Sequence, residues 1–177
     1  MSKSDDTKLI ERCMRGDRQA FEALLLKYER PVFNAAYRML NDRDDARDVT
    51  QTVFLKVFEN FAQYDPQRRF FSWIYRITLN ESINWIGRQK RLQPLAGETS
   101  DEAAGPEREA ENAGIAKEVQ AALMTLTEDY RTVIVLKHFL ECSYSEISEV
   151  LGIPEKTVKS RLYTARQQMK DALGTRI

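Results

Sequence analysis

The stretch "SYSEISEVLGIPEKTVKSRLYTARQQMK", residues 143 to 170, holds two helical patterns around a tight turn. Ser143 and Glu146 have the spacing of a capping box, in which each side chain satisfies a free backbone N–H at a helix start. Ile147, Val150 and Leu151 form a short apolar face. Gly152 falls where a helix must end in a left-handed residue. Pro154 suits the first turn of a second helix, where a missing N–H costs nothing. In that helix Val158, Leu162, Ala165 and Met169 recur in steps of four, three and four and share one face. Lys156, Ser160, Tyr163 and Gln167 fall on the opposite face, with Lys159 and Thr164 at its edges and Arg161 and Arg166 flanking the apolar stripe. A helix lodged in the major groove needs this layout: an apolar stripe to fix it, hydrogen-bonding side chains for base edges, and cations for phosphates. Any surface helix has a polar face, so the second helix taken alone leaves a DNA reader and a packing helix evenly balanced. The order of cap, short helix, glycine turn and basic helix favours a helix-turn-helix.

The remaining sequence places that unit in an all-α chain. Its 177 residues allow one or two small domains, 31 % of them are charged and 42 % hydrophobic, and Gly (7) and Pro (5) are scarce. No apolar run approaches the length of a membrane span, and "MSKSDDTKLIERC" has no apolar core, so neither membrane insertion nor a signal peptide is expected. Cys13 and Cys142 stand in unlike contexts and His138 is the one histidine, so no metal site is expected. Two reduced thiols in a cytosolic protein is the preferred reading, and a redox disulfide is the alternative.

Net charge is zero, yet the charges are segregated. Residues 66–91 carry six basic side chains against one acidic, 98–111 six acidic against one basic, and 153–177 six basic against two acidic. Two basic blocks around an acidic one suggest two sites for a polyanion and a connector kept away from it.

Phe21, Leu24, Leu25, Tyr28, Val32 and Ala36 make a helical stripe over 18–40, with Pro31 marking a kink or break. Asn41 and Asp42 are turn or cap residues before a helix from Asp44 to Phe61, where Ala46, Val49, Val53, Phe54, Val57, Phe58 and Phe61 form a broad buried face. Asp65-Pro66 interrupts the pattern, and a third helix follows from about Phe71 to Gln89, both aromatic and basic. Residues 92–114 are rich in small, acidic, Pro and Gly residues and read as a flexible acidic linker between a domain at 1–91 and another at 115–177. In the second domain Ile115, Val119, Ala122, Leu123 and Leu126 restart the stripe, and Thr127 caps a helix ending near Glu141.

Three stretches carry a family resemblance. "DARDVTQTVFLKVF" resembles region 2.2 of bacterial sigma factors, "FFSWIYRITLNESINWIGRQKR" their regions 2.3 and 2.4, and "LTEDYRTVIVLKHFLECSYSEISEVLGIPEKTVKSRLYTARQQM" their region 4. Over nearly its whole length the chain resembles a two-domain sigma factor of the extracytoplasmic-function class. The resemblance implies a non-enzymatic initiation factor that binds core RNA polymerase, at the β′ clamp and the β flap, and promoter DNA. It also implies an anti-sigma factor as partner, and a cytoplasmic location that such a factor could shift to the inner membrane. Asp48, Gln51 and Thr52 match the clamp-docking positions. The loop with Tyr64, Arg68, Arg69 and Phe70 and the helix with Arg76, Asn80, Asn84, Arg88, Lys90 and Arg91 match the part that melts and reads the −10 element. That task needs a pocket or aromatic surface for an unstacked base and cations for the backbone. Trp73 and Trp85 stand at helical spacing among isoleucines, and core packing is expected for at least one. At the −35 element Lys159, Ser160 and Tyr163 match base-reading positions in a helix running from Lys156, and Lys137, Tyr144, Thr157, Arg161 and Arg166 match phosphate contacts. The chain departs from the pattern at Thr52, Ser148, Pro154 and Thr164.

Other classes fit less well. A polymerase-independent regulator leaves the aromatic-basic third helix without a use, and a helical adaptor leaves the basic blocks without one. No Gly-rich phosphate loop, clustered metal ligands or nucleophile constellation supports an enzyme, a cofactor or a small-molecule substrate.

Overall fold

A computed structural model describes residues 6–92 and 107–174, with side chains from 114 onward in the second span. Every regular element among them is helical. The first unit comprises α1 (Asp6–Met14), α2 (Arg18–Leu40), α3 (Arg43–Asn60), a 3-10 turn at Phe61–Gln63 and α4 (Phe70–Leu92). The second comprises α5 (Glu107–Met124), α6 (Glu128–Ile134), a π turn at Val135–Phe139, α7 (Tyr144–Leu151) and α8 (Glu155–Gly174). Most of the connector expected at 92–114, residues 93–106, lies outside the described residues. The backbone is already helical at Glu107, within the C-terminal end of that expected connector.

Short polar side chains start and stop the helices of the first unit. The Asp17 carboxylate caps α2 by accepting from the Ala20 N–H at 3.1 Å. Asn41, left-handed at φ 59°, ends α2, and Asp42 opens α3 by accepting from the N–H groups of Asp44 and Asp45. α2 runs as one helix through Pro31, where the sequence suggested an interruption. A proline removes one backbone bond, and the burial of Val32, Ala35, Ala36 and Met39 beyond it holds the last turns in place.

The first core is built from Leu24, Tyr28, Val32 and Ala36 of α2, Val49, Val53 and Val57 of α3, and Ile74, Tyr75 and Leu79 of α4. Phe58, expected inside, is 66 % exposed with its ring edge on Phe21 at 5.3 Å. One residue past Val57 is a rotation of about 100°, which carries Phe58 off the buried stripe. Phe61, Tyr64, Phe70 and Trp73 form an aromatic cluster with centroids 5.1 to 6.2 Å apart. Asp6 fastens α1 to α2, accepting from Lys27 Nζ at 2.5 Å and from the Tyr28 hydroxyl at 2.7 Å.

In the second unit Leu123, Leu126, Val133, Ile134, Leu136, Ile147, Val150, Val158 and Leu162 are buried. Ile115 is 58 % exposed instead of buried, because the first fully buried side chain described in α5 is Gln120. Thr127 stands at the start of α6 but its hydroxyl makes no capping bond. The helix expected to reach Glu141 widens instead, with the Leu140 N–H reaching the Val135 carbonyl at 3.2 Å.

The two units pack along α2 and α4. Arg131 is buried, at 8 % exposure, and all its bonds go to carbonyls. Nε donates to Leu123 at 3.1 Å, Nη2 to Met124 at 3.3 Å and Leu126 at 3.0 Å, and Nη1 to Met39 of α2 at 2.6 Å. Buried Gln120 accepts from Arg38 at 2.9 Å and donates to the Arg38 carbonyl at 3.3 Å, while the Arg38 guanidinium lies 4.4 Å from the centre of the Phe139 ring. Replacing Arg131 with alanine strands these carbonyls and is expected to lower unfolding free energy by about 3 kcal/mol in urea titration. A loss under about 1 kcal/mol would mean that water satisfies the carbonyls instead.

Candidate nucleic-acid interface

Backbone geometry fixes the α7–α8 pair. Ser143 Oγ accepts from the Glu146 N–H at 3.2 Å and Glu146 Oε2 accepts from the Ser143 N–H at 2.8 Å, so the capping box is complete. Gly152 is left-handed at φ 65° and its N–H reaches the Ser148 carbonyl at 2.8 Å. Ser148 adds a bond that sequence reasoning missed: its hydroxyl donates to the Ile153 carbonyl at 2.6 Å and closes the turn. A hydroxyl one turn ahead of a C-cap glycine was the available signal. Pro154 stands just outside α8, with its carbonyl accepting from Thr157 at 2.9 Å and Val158 at 3.1 Å. It therefore takes the cap position, one residue earlier than the first-turn place expected.

α8 is two-faced as its spacing required. Val158, Leu162 and Ala165 are at most 1 % exposed, whereas Lys156, Lys159, Ser160, Tyr163, Arg166 and Gln167 face outward, Tyr163 at 68 %. Thr157 and Thr164 are half-buried. Lys137 and Lys159 bracket the Tyr144 ring at 5.0 and 5.7 Å, a cation–aromatic stack that gathers positive charge beside α8. Lys137 also donates to the Cys142 carbonyl at 3.1 Å. Arg161 is paired with Asp129 at 2.7 Å, a partner the sequence did not suggest.

On α4, Asn80, Asn84, Arg88, Lys90 and Arg91 are exposed, and Asn80, Asn84, Arg88 and Arg91 follow one helical stripe. The Arg88 guanidinium lies 5.2 Å from the Trp85 ring centre. Tyr64 and Phe70 were expected as a receiving surface for a base. They are only 4 % and 3 % exposed, because the aromatic cluster closes over both rings. The Tyr64 hydroxyl donates to the Arg68 carbonyl, and burial, then the Asp65 carboxylate, push its pKa up to about 12. Both rings line a cavity of about 220 Å³ that also takes in Gln67, Arg68 and Arg69 and, from α1, Asp6, Thr7 and Glu11. Trp73 belongs to the same cluster, which settles its packing role. Three α4-side cations meet the second unit: Arg69 pairs with Glu146 at 3.2 Å, Arg76 donates to the Glu149 and Val150 carbonyls at 2.9 Å each, and Lys90 pairs with Glu128 at 2.6 Å.

On α3, Asp48 and Gln51 are exposed and Thr52 half-buried, its hydroxyl donating back to the Asp48 carbonyl at 2.9 Å. Exposed Leu55 continues that face, while Val49 and Val53 are buried. Cys13, half-buried in α1, and Cys142, buried before α7, are both thiols. Among the described residues no cluster of three His, Cys, Asp or Glu side chains could hold a metal, and no helix is long and apolar enough to cross a membrane.

A helix-turn-helix with an outward basic face, joined to an aromatic-basic helical unit, defines a DNA-binding protein with two contact regions. Residues 24–92 match the family model Sigma-70 region 2, and 116–169 match Sigma-70, region 4. The RNA polymerase sigma-H factor of Pseudomonas aeruginosa is 31 % identical, with 98 % of this chain and 96 % of that protein aligned. The ECF RNA polymerase sigma factor SigW of Bacillus subtilis is also 31 % identical, over 94 % and 95 %. The structure of CnrH in complex with the cytosolic domain of CnrY aligns at TM-score 0.76 and 25 % identity, covering 96 % of this chain and 97 % of that one. The sigma factor RpoE of Bartonella quintana, solved with the anti-sigma factor NepR, shares the fold at TM-score 0.72 and 23 % identity, covering 87 % of this chain and 96 % of that one. The chain belongs to the sigma-70 family, as an extracytoplasmic-function sigma factor that directs promoter-specific transcription initiation and is not itself an enzyme.

His138 borders the α8 face and accepts from Arg166 Nε at 3.3 Å. Partial burial first, then the Arg166 and Lys137 cations, hold its pKa below the usual 6.5. The unfolded chain therefore binds a proton at a higher pH than the folded one. The neutral form's contribution to stability is whole above about pH 6.5 and falls away as pH drops toward the folded pKa. Because His138 is the one histidine, an NMR titration reads it directly. A midpoint below 6.5 is expected, rising when Arg166→Ala removes one cation; a midpoint above 6.5 would contradict this environment.

Proposed function

We propose that α8 enters the major groove at the −35 element with Lys159, Ser160 and Tyr163 on base edges and Lys156 leading them. Lys137, Tyr144, Thr157, Arg161 and Arg166 hold the flanking phosphates, Arg161 exchanging Asp129 for DNA. The observation that carries this reading is the segregation on α8, where side chains at most 1 % exposed back a row of outward polar and cationic ones. A groove-reading helix must be held from behind by packing and leave its hydrogen-bonding groups free.

At the −10 element, Asn80 and Asn84 supply amide groups for bases, and Arg68, Arg69, Arg76, Arg88, Lys90 and Arg91 supply cations for the strand. With Tyr64 and Phe70 closed off, the cavity beside them is the better receptacle for an unstacked base than the rings themselves. Asp48, Gln51 and Thr52 dock on the β′ clamp of core polymerase, and the second unit meets the β flap. An anti-sigma factor is the expected regulator, as CnrY and NepR are found with the two structural neighbours. The site of action is the cytoplasm, or the inner membrane where such a factor resides.

Run-off transcription with core polymerase on a promoter found by transcript-start mapping tests the reading. Lys159→Ala with Ser160→Ala is expected to lower output at least tenfold and to relax selectivity at the contacted −35 base pairs, each contact discriminating by about 1–3 kcal/mol. Arg88→Ala is expected to weaken the holoenzyme on all promoters alike and to reduce the slope of log K against log salt by about 1. Unchanged selectivity in the first variant would remove α8 as the reader.

A further inference from the structure

At the edge of the α8 face an arginine is held by a neutral ring. Arg166 donates through Nε to His138 Nε2 at 3.3 Å, and both side chains are exposed. Acceptance at Nε2 puts the hydrogen of the neutral imidazole on Nδ1. The bond engages Nε and leaves Nη1 and Nη2 of Arg166 for another acceptor. Arg161, also beside the buried stripe of α8, is held differently, by the Asp129 carboxylate at 2.7 Å. Of these two partner types, the imidazole is the one whose charge changes near neutral pH. His138 belongs to the π turn and stands exposed between half-buried Lys137 and Phe139. The charged groups that act on the ring are both cations, Arg166 of α8 and Lys137 of its own turn. The elements packed on the π turn send their charges elsewhere. From α2, Arg38 goes to Phe139 and Gln120. From α6, Asp129 goes to Arg161, Glu128 to Lys90 and Arg131 to backbone carbonyls. From α7, Glu146 goes to Arg69 and the Ser143 N–H, and Glu149 acts on Tyr64.

We propose that His138 is a further DNA contact, a proton-gated phosphate ligand at the −35 element: neutral, it holds Arg166 through Nε2; protonated, it lets that bond go and donates to the phosphate beside Arg166. This rests on the −35 assignment of the preceding section, which puts Arg166 on a phosphate. A ring 3.3 Å from the Arg166 guanidinium and exposed with it is close enough to share that phosphate. The proton comes from solution to Nε2, so both ring nitrogens then carry hydrogen and the ring accepts from neither. Arg166 loses one acceptor and turns Nε, with its Nη groups, to the DNA. The sign follows from the neighbours. In the free chain, partial burial first and then the Arg166 and Lys137 cations disfavour the charged ring. A phosphate supplies the opposite charge that the free site lacks, so the ring holds its proton to a higher pH on DNA than off it. Binding therefore takes up a proton, and −35 affinity grows as pH falls through the interval between the two midpoints. Above that interval His138 is neutral in both states and the link disappears.

The test compares reconstituted holoenzymes carrying wild-type chain or His138→Gln on a duplex promoter. Glutamine keeps an acceptor for Arg166 and cannot take up a proton. The ratio of wild-type to variant affinity is expected to grow about two- to fivefold between about pH 8 and about pH 6, the effect of one partly exposed charge pair. Taking the ratio cancels the pH dependence of core polymerase itself. On a promoter with scrambled −35 base pairs that keeps its −10 element, the growth is expected to vanish. A ratio that stays flat with pH overturns the proposal, and so does one that grows equally on the scrambled promoter. Independently, the His138 NMR midpoint of the full chain is expected to rise when a −35 duplex is added. A midpoint that stays or falls while the duplex shifts α8 signals overturns the proposal. Lys159→Ala with Ser160→Ala separates the two levels. If that pair loses −35 selectivity while the His138→Gln ratio is flat, the proton link is wrong and α8 remains the reader. If the pair keeps its selectivity, the −35 assignment fails and the proton link fails with it.

Discussion

Arg131 is the residue on which the joint between the two units turns. A guanidinium at 8 % exposure is tolerated because every nitrogen finds a carbonyl, and those carbonyls come from the end of α5, the loop before α6 and the end of α2. Each acceptor lies near a helix end, where carbonyls lack intrahelical donors. One buried charge thereby finishes several helices and sets where the second unit starts relative to the first. Gln120 and Arg38 repeat the device beside it, and Phe139 covers the Arg38 guanidinium.

From that joint the charges of the chain acquire geometry. Zero net charge conceals basic blocks on α4 and α8. In the structure the α8 block faces out, whereas part of the α4 block is turned toward α7. Of the two expected contact faces, the one on α8 is open and the one on α4 is partly covered by α7. The same Glu146 serves both, starting α7 through its capping box and neutralising Arg69.

Much of this was legible in the sequence because it follows from local rules. The Ser143–Glu146 box, the Gly152 turn, the Asp42 cap and the Val158–Leu162–Ala165 stripe depend on neighbours a few residues away, and all stand as read. What was not legible depends on the partner surface. Tyr64 and Phe70 have the right chemistry for base stacking, but Phe61 and Trp73 claim their rings. Phe58 and Ile115 fit a helical period yet lie beyond the reach of any core. Pro31 carries a strong breaker signal that packing along the rest of α2 overrides. The carbonyl partners of Arg76 lie more than seventy residues away and the Met39 partner of Arg131 more than ninety, and no sequence pattern reports a backbone acceptor at that range. For the expected contact faces the structure reports availability: Tyr64 and Phe70 are buried, while Asn80, Asn84, Lys159 and Tyr163 are exposed.

The central claim is that α8 and α4 act as two halves of one promoter grip that core polymerase completes. Footprinting the reconstituted holoenzyme on its own promoter measures this most directly. Two separate protected regions are expected, with strand opening at the downstream one, and Tyr163→Ala should erase the upstream region while leaving the downstream one in place. Protection confined to a single region, or the same footprint from the chain without core polymerase, would contradict it.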